Sequence, residues 1–221
     1  MNSADCFKLI RSKVPDGVKI VAVSKTKPAA MIEELYMKTG HTIFGENKAR
    51  ELESKRNNLT KDINWHFLGH LQSNKIKYIA SFVELIHSVD SFRLLQEINK
   101  EAVKCNRVIP CLLQLYIAKE DTKFGFSIDE VNQMLDDKVF QELSNISLHG
   151  VMGMATFTPD VTQIRSEFHT LFNYFNALRT RNFSYDPLFC EISMGMTDDY
   201  LLAIEEGSTM VRIGSGIFGG R

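Results

Sequence analysis

The sequence predicts an α/β fold: a single (β/α)8 TIM barrel with an extra N-terminal helix. Three observations carry this. Short runs rich in β-branched and apolar residues alternate with longer segments of helical spacing along the whole chain. Such alternation implies βαβ crossovers and a parallel sheet. Eight strand candidates can be read, where an open doubly wound sheet would use about five or six. The length of 221 residues also suits a barrel near its lower size limit. No linker, low-complexity stretch or composition break interrupts it, so residues 1–221 read as one domain.

Each element has a local reason. Residues 3–13 read as a helix ahead of the first strand, an addition expected at the bottom of the barrel. Val18–Ser24 (VKIVAVS) is the first strand. Pro28 sits at a first helical position, where its missing N–H costs little. Ile32, Leu35 and Tyr36 share one face of that helix, and Gly40 stops it. Thr42–Gly45 is the second strand, followed by a polar helix over 47–57. Trp65–Gly69 is the third, with a short helix over 73–79. Val83–Val89 is the fourth; Asp90 or Ser91 caps the next helix, whose inner face is Leu94, Leu95, Ile98 and Ala102. Val108–Ile117 is the fifth, apolar for most of its length, as in strands buried on both faces. Ser127 and Glu130 have capping-box spacing ahead of Val131, Met134 and Leu135. Ile146–Met152 is the sixth, and Ile164, Phe168, Leu171, Phe172 and Phe175 form the stripe of the helix after it. Leu188–Ile192 is the seventh, followed by a helix over 197–206. Thr209–Ile213 is the eighth, and Gly214–Arg221 closes the chain.

Composition excludes several classes. With 26 basic and 27 acidic residues the net charge is −1, and no long run of one sign occurs. Such a chain has no electrostatic footprint for nucleic acid or an anionic membrane. Cys6, Cys105, Cys111 and Cys190 are scattered without CxxC pairing, which fits a reducing compartment. The first residues lack the apolar core of a secretory signal, and no stretch approaches the ~18 apolar residues of a membrane span. A cytoplasmic location is expected.

In such a barrel, reactive groups gather where the strands end at their C-termini. Lys25 directly follows the first strand. It is either a solvated lysine or an amine that forms a Schiff base, for which desolvation or a nearby cation such as Lys27 would help. The loops after the seventh and eighth strands read Ser193-Met-Gly-Met-Thr197 and Gly214-Ser-Gly216. They either merely end strands or form the phosphate site that barrels place there, with glycines admitting backbone N–H groups to an anion. Arg212 lies inside the eighth strand and needs a partner if buried. That partner is Glu191, another inward carboxylate, or a heteroatom of a ligand. His66 and His70 have HxxxH spacing, but the segment reads as a strand, and that spacing suits a metal only on a helix. His66 reads as a hydrogen-bonded core histidine and His70 as a loop residue at the barrel mouth. Asp198 and Asp199 read as first-turn carboxylates favouring a helix dipole. No metal site and no catalytic residue is assigned.

Several segments together carry a resemblance: VAVSKTKP at 21–28, FGEN at 44–47, WHFLGHLQSNK at 65–75, HGVMGM at 149–154, SMGMTDD at 193–199 and STMVRIGSGIFGGR at 208–221. They resemble the pyridoxal phosphate homeostasis protein family, once called proline synthetase co-transcribed homologues, along essentially the whole chain. The resemblance implies a barrel like the N-terminal domain of alanine racemase. It implies pyridoxal 5′-phosphate held as a Schiff base on Lys25, with Ser193, Gly214 and Ser215 toward its phosphate, Arg212 toward its pyridine nitrogen and Asn47 beside its ring. A fixed cation at that nitrogen would keep it unprotonated and make the ring a poorer electron sink. The sequence departs from the family at Ser215, where threonine is common, at Leu115-Tyr116-Ile117 and at Lys123-Phe124-Gly125; these departures bear on the pocket mouth.

The implied function is cofactor binding in vitamin B6 homeostasis, without robust catalysis, the cofactor being handed to or withheld from apo-enzymes. The alternative is a fold-type III amino-acid racemase or decarboxylase. Those enzymes carry a second domain, and none is expected after the eighth strand of this sequence. An aldolase-like barrel using Lys25 on a carbonyl substrate is a third reading. No amphipathic surface helix stands out as a dimer interface, so a monomer is expected.

Overall fold

The computed structural model describes residues 2–118 and 125–220. Eight parallel strands close into a barrel in chain order. They are β1 (Lys19–Val23), β2 (Ile43–Glu46), β3 (Asn64–Phe67), β4 (Leu85–Val89), β5 (Ile109–Gln114), β6 (Ile146–Met152), β7 (Glu191–Ser193) and β8 (Met210–Ile213). Closure joins β1 to β8, with Val21 opposite Arg212 and Ala22 opposite Ile213. Around them lie α1 (Ser3–Arg11), α2 (Ala29–Thr39), α3 (Ala49–Asn58), a 3-10 turn (Ser73–Tyr78), α4 (Phe92–Lys104), α5 (Ile128–Asp136), α6 (Lys138–Gln141), α7 (Val161–Asn182), α8 (Tyr200–Glu205) and α9 (Ser215–Phe218). Among the described residues no helix is long and apolar enough to cross a membrane.

The period of two along each strand sorts residues between two cores. Val21, Leu85, Leu112, Met152 and Met210 pack together inside the barrel. Their strand neighbours Ile20, Ala22, Ile86, Val151 and Val211 join the larger core beneath the helices. This is why the strands read as continuous apolar runs. The same parity sends Arg212 inward beside Met210.

The barrel is the predicted one; the differences are local. α1 lies on the flank, packed against α2 and α9, rather than below the barrel. There it fills the outer ring where α9 is only four residues long. The predicted seventh strand at 188–192 is displaced to Glu191–Ser193. Phe189 ahead of it stacks on Phe175 and Phe183, so the chain packs there by its rings before pairing begins. α8 starts at Tyr200 instead of 197. Asp198 and Asp199 therefore precede the helix, and the Asp199 carboxylate accepts from Met196 N–H in the loop. The capping box at Ser127 and Glu130 forms as the spacing predicts. Ser91 is the cap of α4.

Candidate functional site

The loop after β1 is held from outside the barrel. Glu46 points away from the lumen, toward α3, and is fully buried. Its Oε1 accepts from Ser24 Oγ at 2.6 Å and from Lys55 Nζ at 2.6 Å. Lys55, itself buried, also donates to Ser24 O at 2.8 Å and to Glu51 Oε1 at 2.8 Å. Glu51 in turn accepts from the N–H of Thr26 at 2.7 Å. Thr26 has φ 65, a left-handed conformation in which a β-branched residue is strained. Two carboxylates and an ammonium thus clamp the backbone on both sides of Lys25. Burial raises the Glu46 carboxyl above its ordinary range, against the Lys55 and Ser24 hydrogen bonds. For Glu51 burial acts upward too, but the Lys55 and Thr26 bonds win and lower it.

Lys25 opens onto a cavity of about 360 Å³ at this end of the barrel, shared with Asn47, Thr197, Arg212, Gly214 and Ser215. The volume lies in the ordinary range for small-molecule sites. Lys25 Nζ has no hydrogen-bond or ionic partner among the described residues. Lys27, nearby, donates to Gly220 O at 2.8 Å and draws the chain end over the cavity. Asn47 Oδ1 is buried without a partner among the described residues. Gly69 makes room for Asn47, since a Cβ there would overlap its backbone.

Arg212 forms the cavity floor. Its Nη1 donates to Ser193 O and Ser193 Oγ, both at 2.7 Å, and its Nη2 to Gly153 O at 3.0 Å. Of five guanidinium N–H groups these bonds use three. Burial lowers its pKa to about 10, with Asp199 opposing the shift, so it stays charged at neutral pH. No carboxylate forms an ion pair with it among the described residues. Glu191, the inward carboxylate named from sequence, is bound to Lys19 and Thr209 instead.

The structure brings Lys25, Asn47, Arg212, Gly214 and Ser215 to one cavity. Ser193 is elsewhere: fully buried beneath Arg212, its hydroxyl engaged by Arg212 and His87. Thr197 takes the position at the wall. Its Oγ1 accepts from Ser215 Oγ at 3.1 Å and Gly216 N–H at 3.3 Å, tying the two glycine-bearing loops together. The SMGMT loop was legible, but not which of its two hydroxyls faces the cavity. His66 is a buried, hydrogen-bonded histidine, and His70 is an exposed loop residue paired with Asp90 at 2.9 Å. Tyr116 lies outside the cavity wall, where its N–H donates to Phe126 O. Lys123 and Phe124 lie outside the described residues.

A family model described as alanine racemase, N-terminal domain, matches residues 4–221. The pyridoxal phosphate homeostasis protein of Aquifex aeolicus is 36% identical over 204 residues, covering 92% of this chain and 87% of that one. This chain belongs to the pyridoxal phosphate homeostasis protein family. A solved relative, PipY of Synechococcus elongatus, matches this chain in its form without PLP with a TM-score of 0.90 at 31% identity, covering 99% of this chain and 100% of that one. PipY with PLP bound matches with a TM-score of 0.87 over the same shares.

Proposed function

We propose that this chain binds pyridoxal 5′-phosphate in the cavity at Lys25 and acts in vitamin B6 homeostasis. The carrying observation is the pairing of two cations across one cavity. Among the described residues Lys25 presents an amine without a partner, and Arg212 is a buried guanidinium with spare donors and no carboxylate in an ion pair with it. An anionic ligand with an aldehyde satisfies both. The names of the relatives, and PLP in the solved PipY, support the same ligand.

The group fits the residues present. The Lys25 amine would condense with the aldehyde carbon, forming a C=N bond and releasing water. Arg212 would donate toward the pyridine nitrogen, and Asn47 would use its orphan oxygen beside the ring. Gly214, Ser215 and Thr197 line the side suited to the phosphate, and Ser193 acts beneath Arg212. When bound, pyridoxal phosphate supplies an electron sink, which a donating arginine at its nitrogen weakens. That favours storage and presentation, with apo-enzymes as recipients, over racemisation. We propose further that residues 1–221 act as one domain, as a cytoplasmic monomer.

Reconstitution tests the reading. The protein incubated with pyridoxal phosphate should turn yellow, and borohydride should fix one cofactor mass on Lys25. A colourless product, or a band retained in Lys25→Ala, rejects it. Incubation with L-amino acids in deuterium oxide separates storage from catalysis: steady α-proton exchange at enzymatic rates would favour the racemase-like alternative.

A further inference from the structure

A line of buried polar groups runs down the barrel axis from Arg212. His87 Nδ1 lies 2.9 Å from Ser193 Oγ, and His87 Nε2 lies 2.9 Å from His66 Nδ1. His87 is fully buried and His66 nearly so. His66 then borders a second cavity, of about 260 Å³, at the opposite end of the barrel, where Lys19, Glu84, His149 and Glu191 also stand. The line thus joins the two ends of the molecule through its core.

The proton positions along this line follow from the donor inventory. Arginine only donates, so Ser193 Oγ accepts from Arg212. The serine's own hydrogen then needs an acceptor, and its remaining partner among the described residues is His87 Nδ1. His87 therefore carries its proton on Nε2 and donates it to His66 Nδ1. His66 in turn carries its proton on Nε2. Every donor points away from the guanidinium, and every lone pair points toward it. Burial lowers the His66 pKa to about 3 and holds His87 well below its usual value, so both rings are neutral at physiological pH.

We infer that His87 is a positioning residue for Arg212, acting through Ser193, with His66 fixing its tautomer. A carboxylate in the same place would hold the guanidinium equally well but would cancel its charge. A chain of neutral dipoles holds it in one orientation and leaves its positive charge available to the cavity. The cofactor arm of this inference rests on the reading of that cavity as the pyridoxal phosphate site.

Long-range 1H–15N spectra of the full chain, without cofactor, read the tautomers directly. Both histidines should be neutral with the proton on Nε2 at pH 7. A proton on His87 Nδ1, or an imidazolium there, overturns the inference. The second arm compares pyridoxal phosphate affinity in His87→Phe and His87→Asn. The phenylalanine variant removes the acceptor for Ser193 and should bind at least tenfold more weakly. Asparagine restores an acceptor near Nδ1 and should stay within threefold of wild type. Equal affinity in wild type and His87→Phe overturns the inference while leaving the site reading intact. Should wild type bind no pyridoxal phosphate, the site reading falls, and the tautomer spectra still decide the relay. They also decide it if His87→Phe fails to fold.

Discussion

Arg212 shows how much a single buried charge can say. A guanidinium inside a barrel is costly unless satisfied, and here three donors meet Ser193 and Gly153 while none meets a carboxylate among the described residues. Arg212→Met should therefore have two effects. It strands buried acceptors, costing ~1–3 kcal/mol of stability in urea denaturation, and it removes the cavity's fixed cation. Pyridoxal phosphate retention should fall more than tenfold, and unchanged retention would detach Arg212 from the site. From sequence Arg212 was recognisable as a charge in a strand, but its partner was not. Glu191 and Arg212 both face inward; Glu191 sits at the start of β7, where Lys19 at the start of β1 reaches it first.

Elements place these residues by contacts that cross the sheet. The β2–α3 clamp is the main case. Glu46 and Lys55 are nine positions apart on different elements, and they meet because Glu46 has outward parity and Lys55 lies on the inner face of α3. Lys55→Met should destabilise the fold by ~3–5 kcal/mol at neutral pH, by leaving Glu46 charged, buried and unpaired. The loss should shrink on acidification, because burial already raises the Glu46 pKa and protonation removes the stranded charge. A loss that does not shrink at low pH rejects this account. Between β6 and β7, Gly150 has φ 146, and a Cβ there would run into the Glu191 carbonyl. Gly150→Ala should thus disrupt pairing of the two strands, whereas Ser127→Ala, removing only a cap, should cost ~1 kcal/mol. Thermal melts of the two variants side by side test that order.

The molecule as a whole should be sensitive to acid. His41, His66 and His87 are held neutral by burial, His41 with a pKa lowered to about 4 and His66 to about 3. A depressed folded-state pKa leaves stability whole above about pH 6.5, the unfolded value. Stability is then lost as pH falls toward the folded values, because the unfolded chain takes up protons the folded one refuses. Urea midpoints should therefore decline from pH 6.5 to about pH 4 in wild type, and less steeply in His41→Phe. A flat profile over that range would show that these rings are not neutral in the fold. The sequence by itself determined the barrel, its strand count and the end at which Lys25, Asn47, Arg212, Gly214 and Ser215 collect. Strand periodicity, glycine-bearing loops and a motif such as WHFLGHLQSNK are local signals, and chain order dictates which end of a parallel strand a residue occupies. Only the tertiary structure decided what sits beneath Arg212. Ser193, His87 and His66 come from three strands, and their alignment depends on barrel closure and strand stagger, which no run of sequence displays.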